Sequence, residues 1–233
     1  MSPTTVVIIT LGINVACVII GFIASYITLS TTWFDKNRIQ ADKKVPMKTF
    51  YQRLPLIGLN LALLLVLAGS GVYTAYPMFD LSGFYWGTFF LQFFIFLLLD
   101  DLFFYWFHRL MHENEYLFRK IHRIHHRATS PFPLEFLYVH PLEWMLGTIG
   151  IVAALFAIYF GFGSINIYAF WFYVFYRSAH EIEIHSGIDG ITRFIPFYGT
   201  VRQHDDHHAY IKGNYASSLN YLDKIFGTYV GKK

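Results

Sequence analysis

Hydrophobic positions along the chain gather into long runs separated by short polar stretches. No charged side chain precedes Asp35, and Thr5 to Leu29 is almost entirely apolar. As a helix that run is about 37 Å long, more than the roughly 30 Å hydrocarbon core of a bilayer. A cleaved leader would open on basic residues, and Met1 to Thr5 carries none, so the run reads as a retained first membrane helix. Leu54 to Phe79 is a second uncharged run, and Phe84 to Phe107 is a third, interrupted only by Asp100 and Asp101 near its far end. The fourth, Trp144 to Tyr176, is too long for one comfortable span and is broken at Gly161-Phe162-Gly163-Ser164. It predicts two short helices forming a hairpin. The expected fold is therefore all-α: one domain over residues 1–233, polytopic, with about five transmembrane helices and a histidine-rich helical cap.

Composition agrees with this pattern. Of 233 residues, 55% are hydrophobic and 20% aromatic, and only 14% are charged, where a soluble domain carries about 25%. Disorder and a nucleic-acid-binding role are excluded on the same ground. The single cysteine, Cys17, lies inside the first apolar run and permits neither an internal disulfide nor a thiolate metal site.

The net charge of +3 says less than its distribution. Lys36, Arg38, Lys43, Lys44, Lys48 and Arg53 separate the first two runs, Arg109 to Arg127 follow the third, and Arg177 and later residues follow the hairpin. The connections at Met1 to Thr4, Asp80 to Gly83 and Gly161 have no Lys or Arg. With five spans every basic residue falls on one side, which the positive-inside rule makes cytoplasmic.

All eleven histidines lie between His108 and His208, at or beyond the ends of spans on that side. His108 with His112 and His122 with His126 are four apart, a spacing that stacks two imidazoles on one helix face toward one ion. His125 adds a neighbouring ligand, and His204, His207 and His208 repeat the HxxHH device. His180 and His185, five apart, are about 140° around an ideal helix and form the weakest pair. These ten imidazoles exceed the four to six ligands of one ion, so two metals are expected. Asp101, Tyr105, His108 and His112 recur along one helix face, where Asp101 could accept the second ring N–H of a ligand. His140 suits a capping or orienting role, and Asp205 and Asp206 read as solvated loop charges. Phe89, Phe90, Phe93, Phe94, Phe96, Phe103 and Phe104 on the third run either line a lipid slot or simply pack against lipid and neighbouring helices.

The ordered set resembles the fatty-acid hydroxylase and sterol desaturase superfamily of membrane di-iron oxygenases. The resemblance runs from Asp101-Leu-Phe-Phe-Tyr105-Trp-Phe-His108-Arg-Leu-Met-His112 through Arg119-Lys-Ile-His122-Arg-Ile-His125-His126 and His140-Pro-Leu-Glu143 to His204-Asp-Asp-His207-His208. It ends in Asn214-Tyr215 and Asp223-Lys-Ile-Phe226-Gly227-Thr228 and covers about residues 101–229. It implies two Fe ions held by these ten histidines, O2 as co-substrate, and hydroxylation or desaturation of a lipid C–H bond. It further implies catalytic-site roles for Asp101, Tyr105 and Glu143 and a supporting position for His140 and Asn214. An unactivated C–H bond demands a redox-active metal, which zinc is not.

A membrane zinc hydrolase would use the same histidines, yet His108-Arg-Leu-Met-His112 lacks the Glu that follows the first histidine of a zincin. Metal transporters and bis-histidine haem carriers place their ligands within the bilayer, whereas these cluster at its edge. The chain contains no dinucleotide fingerprint and no cysteine set for an iron–sulfur cluster. Electrons are therefore expected from an external donor, a cytochrome b5-like protein or a ferredoxin and its reductase, docking on the basic face of a bacterial inner membrane or endoplasmic reticulum protein. The lipid substrate and the oligomeric state are not encoded in any motif.

Overall fold

The computed structural model describes residues 1–231. Three long helices, α1 Pro3–Ser30, α2 Met47–Ala75 and α3 Trp86–Glu113, are followed, after the short α4 Glu115–Lys120 and α5 Pro141–Leu146, by the hairpin of α6 Ile149–Phe162 with α7 Ile167–Ile184. Two short helices, α8 Val201–Tyr210 and α9 Tyr221–Ile225, complete the cap. Pro3–Ser30, Met47–Met78, Trp86–Glu113 and Pro141–Phe162 are long and apolar enough to cross a membrane. The second arm of the hairpin continues as helix beyond the apolar run, which ends at Tyr176. α7 carries Arg177, Glu181 and Glu183 in its last turns, and its helix starts only at Ile167. The break falls where glycine permits it: Gly163 ends α6 in the left-handed region at φ 79°.

Each helix has a local reason for its limits. Ser2 caps α1 by accepting from the Thr5 N–H at 3.1 Å, with Pro3 at the first helical position. Polar side chains inside this apolar helix bond back to their own turn: Thr10 Oγ1 donates to the Val6 carbonyl and Ser25 Oγ to that of Gly21. α1 packs against α2 and α7, and α3 against α6 and α7, so α7 lies at the centre of the bundle. Phe93, Phe96, Leu97, Ala154, Ile158, Phe170 and Tyr173 form the buried core where α3, α6 and α7 meet. At the end remote from the histidines, Phe79 and Asp80 pair in parallel with Ile165 and Asn166 and tie the two loops together.

At the opposite end the backbone between the second histidine motif and α5 turns inward without forming an α-helix. Ser130 to Glu135 are buried, a placement that requires partners for every buried amide and carbonyl. α1 and α2 supply them. Ser25 Oγ accepts from the Leu134 N–H at 2.8 Å, and Asn60 donates to the carbonyls of Leu137 and Val139 at 2.8 and 2.9 Å. Glu135, fully buried, pairs with Arg53 of α2. This plug braces the cap against the bundle.

Candidate metal centre

Nine histidines converge at the junction of bundle and cap in two groups. His108 and His112 from α3, His122 and His126 from the turn after α4, and His207 from α8 form one; His125, His185, His204 and His208 form the other. Within each group one ring nitrogen per residue lies within 4.8 Å of all the others. The groups abut, with ring centroids of His126 and His208 5.0 Å apart and of His125 and His126 5.6 Å apart.

The HxxHH motifs link the two groups. In each, the outer pair four residues apart serves one group and the middle histidine serves the other: His122 and His126 against His125, and His204 and His208 against His207. The segment His122–Arg127 is a 3₁₀ helix, so residues do not follow α-helical angles there. The neighbouring position expected for His125 thus falls in the group opposite His122 and His126.

Ring orientation is set from behind. His122 Nδ1 donates to Glu143 Oε1 at 2.7 Å, His108 Nδ1 to the Tyr215 carbonyl at 2.8 Å, His185 Nδ1 to the Glu181 carbonyl at 2.8 Å and His207 Nδ1 to the Gly213 carbonyl at 2.6 Å. These acceptors have no proton to give, so each ring carries its proton on Nδ1 and presents a bare Nε2 lone pair to the interior. His108 and His122 then aim two lone pairs at each other across 3.2 Å. Nε2 of His207 is buried without a hydrogen-bond partner among the described residues. Burial first, and neighbouring imidazoles second, hold His125, His126, His204, His207 and His208 below their ordinary value of 6.5, so they are neutral at pH 7. Facing lone pairs on neutral, buried imidazoles repel one another and are satisfied by cations between them. The residues present fit two metal ions with nitrogen ligands.

Several candidate residues stand elsewhere. His180 belongs to neither group: its ring nitrogens lie 2.7 Å from Tyr198 Oη and 3.1 Å from the Ser217 carbonyl. Asp101 reaches no histidine ring. Its Oδ1 accepts from the amides of Ser218 and Leu219 at 2.9 and 3.3 Å, fixing the loop whose Tyr215 carbonyl orients His108. Tyr105 bonds Thr228 Oγ1 at 3.0 Å and stacks on Phe226, pinning the C-terminal tail to α3. His140 caps α5 by accepting from the Leu142 N–H at 3.1 Å. Asn214, at φ 52°, clamps Val230 through two hydrogen bonds and donates to the Gln203 carbonyl. Asp205 and Asp206 are buried, contrary to the expectation of solvated charges, and Asp205 Oδ2 accepts from Gln40 at 3.0 Å. The carboxylate of Asp223, in the tail motif, receives the amides of Tyr215 and Ala216 and the hydroxyl of Thr228.

An apolar cavity rises from the histidines into the bundle. Leu64, Leu67, Val72, Ile151, Leu155 and Phe170 line its upper part, and His108, His122, His125, His185 and His204 lie at its foot. From α3, Phe104 and Phe107 line it; Phe89, Phe93 and Phe96 are buried in packing, and Phe90 and Phe94 face outward.

The sequence profile of the fatty acid hydroxylase family matches residues 93–228. Methylsterol monooxygenase 1-3 of Arabidopsis thaliana is 34% identical over 212 residues, 85% of this chain and 69% of that protein. Methylsterol monooxygenase erg25A of Aspergillus fumigatus is 38% identical over 143 residues, 60% of this chain and 47% of the relative. Very-long-chain aldehyde decarbonylase GL1-10 of Oryza sativa subsp. japonica is 34% identical over 166 residues, 68% and 51% respectively. The chain spans about half the length of most of these curated relatives. No solved structure matches it.

Proposed function

The chain belongs to the fatty acid hydroxylase family, and from that premise we propose that it is an integral membrane oxidoreductase that uses two irons and O2 to hydroxylate a C–H bond of a membrane lipid. The observation that carries this reading is the convergence of two buried imidazole groups at the foot of an apolar cavity. His108, His112, His122, His126 and His207 would hold one iron, and His125, His185, His204 and His208 the other. Bound iron supplies the O2-activating redox chemistry that an unactivated C–H bond requires.

The chain's own part is positioning and exclusion. Glu143 and the carbonyls of Tyr215, Gly213 and Glu181 keep the ligand rings in one tautomer and one orientation. The cavity admits a lipid body from the bundle side, while the buried plug at residues 130–135 keeps bulk water from the histidines. The names of the relatives, methylsterol monooxygenase above all, make a methyl-bearing sterol the first substrate to test. α6 and α7 are read as two crossings, giving five spans with the basic, histidine-bearing face toward the cytoplasm. The exposed Arg119, Lys120, Arg123 and Arg127 flank the second histidine motif and form the docking face for an external electron donor.

The test supplies purified, iron-loaded protein with a methylsterol, an artificial reductant and 18O2. Product carrying the label is expected. A product whose oxygen comes from water, or one formed equally without O2, would overturn the oxygenase reading in favour of hydrolysis.

A further inference from the structure

A charged pair sits inside the bundle where the cavity narrows toward the histidines. Arg177 of α7 donates from Nε to Asp100 Oδ2 of α3 at 2.9 Å and from Nη2 to the Gly147 carbonyl at 3.2 Å. Tyr173 Oη donates to the same Asp100 oxygen. Gly150 makes room for the pair, since a Cβ there would lie 2.9 Å from the Asp100 Cα. Ionisable groups inside a membrane bundle are costly and mark function more often than they serve packing.

The guanidinium is not consumed by these contacts. Of its five N–H donors, one on Nε and one on Nη2 are used. The remaining donors bond to no described residue, and a quarter of the side chain, 25%, is exposed although α3, α6 and α7 surround it. Arg177 lines the cavity, and among the described residues no second Lys or Arg does so. The other polar lining groups, Glu143, Thr148, Ser178 and Glu181, fall at the same level or nearer the histidines. Beyond Arg177 the wall is Val174, Phe170, Ile151, Leu155, Leu64 and Leu67. Higher up, Thr10 turns its hydroxyl donor onto the Val6 carbonyl and Asn14 turns one amide N–H onto the Thr10 carbonyl.

We propose that Arg177 anchors the acceptor oxygen of a neutral lipid, a hydroxyl or carbonyl, with the apolar body of that lipid lying in the upper cavity. Asp100 already matches the charge of Arg177, so an anionic headgroup finds no unpaired cation to offset its desolvation, whereas a neutral acceptor needs only the free N–H groups. Eight residues separate Arg177 from His185, a rise of about 12 Å, so the oxidised carbon lies on the oxygen-bearing side of the lipid, within about 12 Å of the anchored oxygen. Arg177 is thus a positioning and specificity residue, and the inference rests on the oxygenase reading only for what then happens to the lipid.

Direct binding tests it without O2 or reductant, so its failure leaves the oxygenase reading untouched and the failure of that reading leaves it standing. Radiolabelled hexadecan-1-ol, hexadecane and hexadecanoate are titrated against the metal-loaded protein in nanodiscs. The alcohol should bind roughly ten-fold or more tighter than the alkane, the scale of one hydrogen bond to a charged group, and tighter than the carboxylate. Replacing the pair together, D100L with R177M, removes both charges at once and should bring alcohol and alkane within about two-fold while bound metal stays constant. R177K, which keeps the charge but loses the fork of donors, should lower the preference and serves if the double variant does not fold. Equal binding of alcohol and alkane by the unmodified protein, tighter binding of the carboxylate, or an undiminished preference in the variants would overturn the proposal.

Discussion

Glu143 accepts the Nδ1 proton of His122 at 2.7 Å, so a carboxylate at the start of α5 sets the direction of an imidazole two segments earlier in the chain. Both groups are shielded from solvent, with side-chain exposures of 2% for His122 and 12% for Glu143. The E143L variant should retain the fold and lose metal affinity by about 10- to 100-fold, the usual effect of removing an orienting partner from a ligand histidine. Competition with a chelator of known affinity measures this. Unchanged affinity would mean that the ring is held by packing alone.

His207 and His180 separate ligation from support. H207A opens the larger histidine group and should abolish product formation and lower bound metal. H180A should leave metal content nearly intact, because His180 bonds to Tyr198 and Ser217 outside both groups. Metal content and turnover measured together decide the assignment, and equal metal loss in both variants would contradict it. H140A, which removes only the α5 cap, should behave like H180A in metal content and cost about 1 kcal/mol of stability.

Acid should act through the same rings. His125, His126, His204, His207 and His208 are held below 6.5 in the folded protein and return to about 6.5 when it unfolds. Below that pH the unfolded chain binds protons that the folded chain refuses, so stability is fully present above about 6.5 and declines as pH falls. Thermal unfolding of the metal-free protein from pH 8 to pH 5 should show a falling midpoint with net proton uptake. A midpoint that rises on acidification would mean that the histidines are protonated in the fold.

Much of this architecture is legible in the residue pattern, for identifiable physical reasons. The first three membrane helices and the hairpin break at Gly163 follow from run length and from glycine's access to positive φ. The grouping of His108 with His112 and of His204 with His208 follows from spacing, since residues four apart stack on one face of an α-helix. The crossing of the HxxHH motifs does not follow, because the 3₁₀ geometry of His122–Arg127 is not written in its side chains. The orienting carbonyls are equally silent, as every residue carries one. Gly213 offers the only hint: at φ 72° a Cβ would meet the Thr228 carbonyl, so the backbone that presents its oxygen to His207 tolerates no side chain. Asp101 shared a helix face with His108, yet its amide partners at Ser218 and Leu219 lie more than a hundred residues away in sequence.

Electron delivery should depend on salt. If Arg119, Lys120, Arg123 and Arg127 bind an acidic donor, raising ionic strength from about 0.05 to 0.5 M should slow donor-driven turnover, because screening shortens to a few ångströms. Charge reversal by R123E with R127E should do the same at low salt, while turnover with a small neutral reductant stays within about two-fold of normal. Donor-driven rates independent of both salt and charge reversal would place the docking face elsewhere.

The most direct test of the central claim is a count of metal atoms per chain in protein purified after iron-replete expression, made alongside the variant H185A/H204A. About two irons in the unmodified protein and about one in the variant are expected, since the substitutions dismantle one histidine group and leave the other whole. A single metal in both proteins, or zinc that iron loading does not displace, would contradict a two-iron centre.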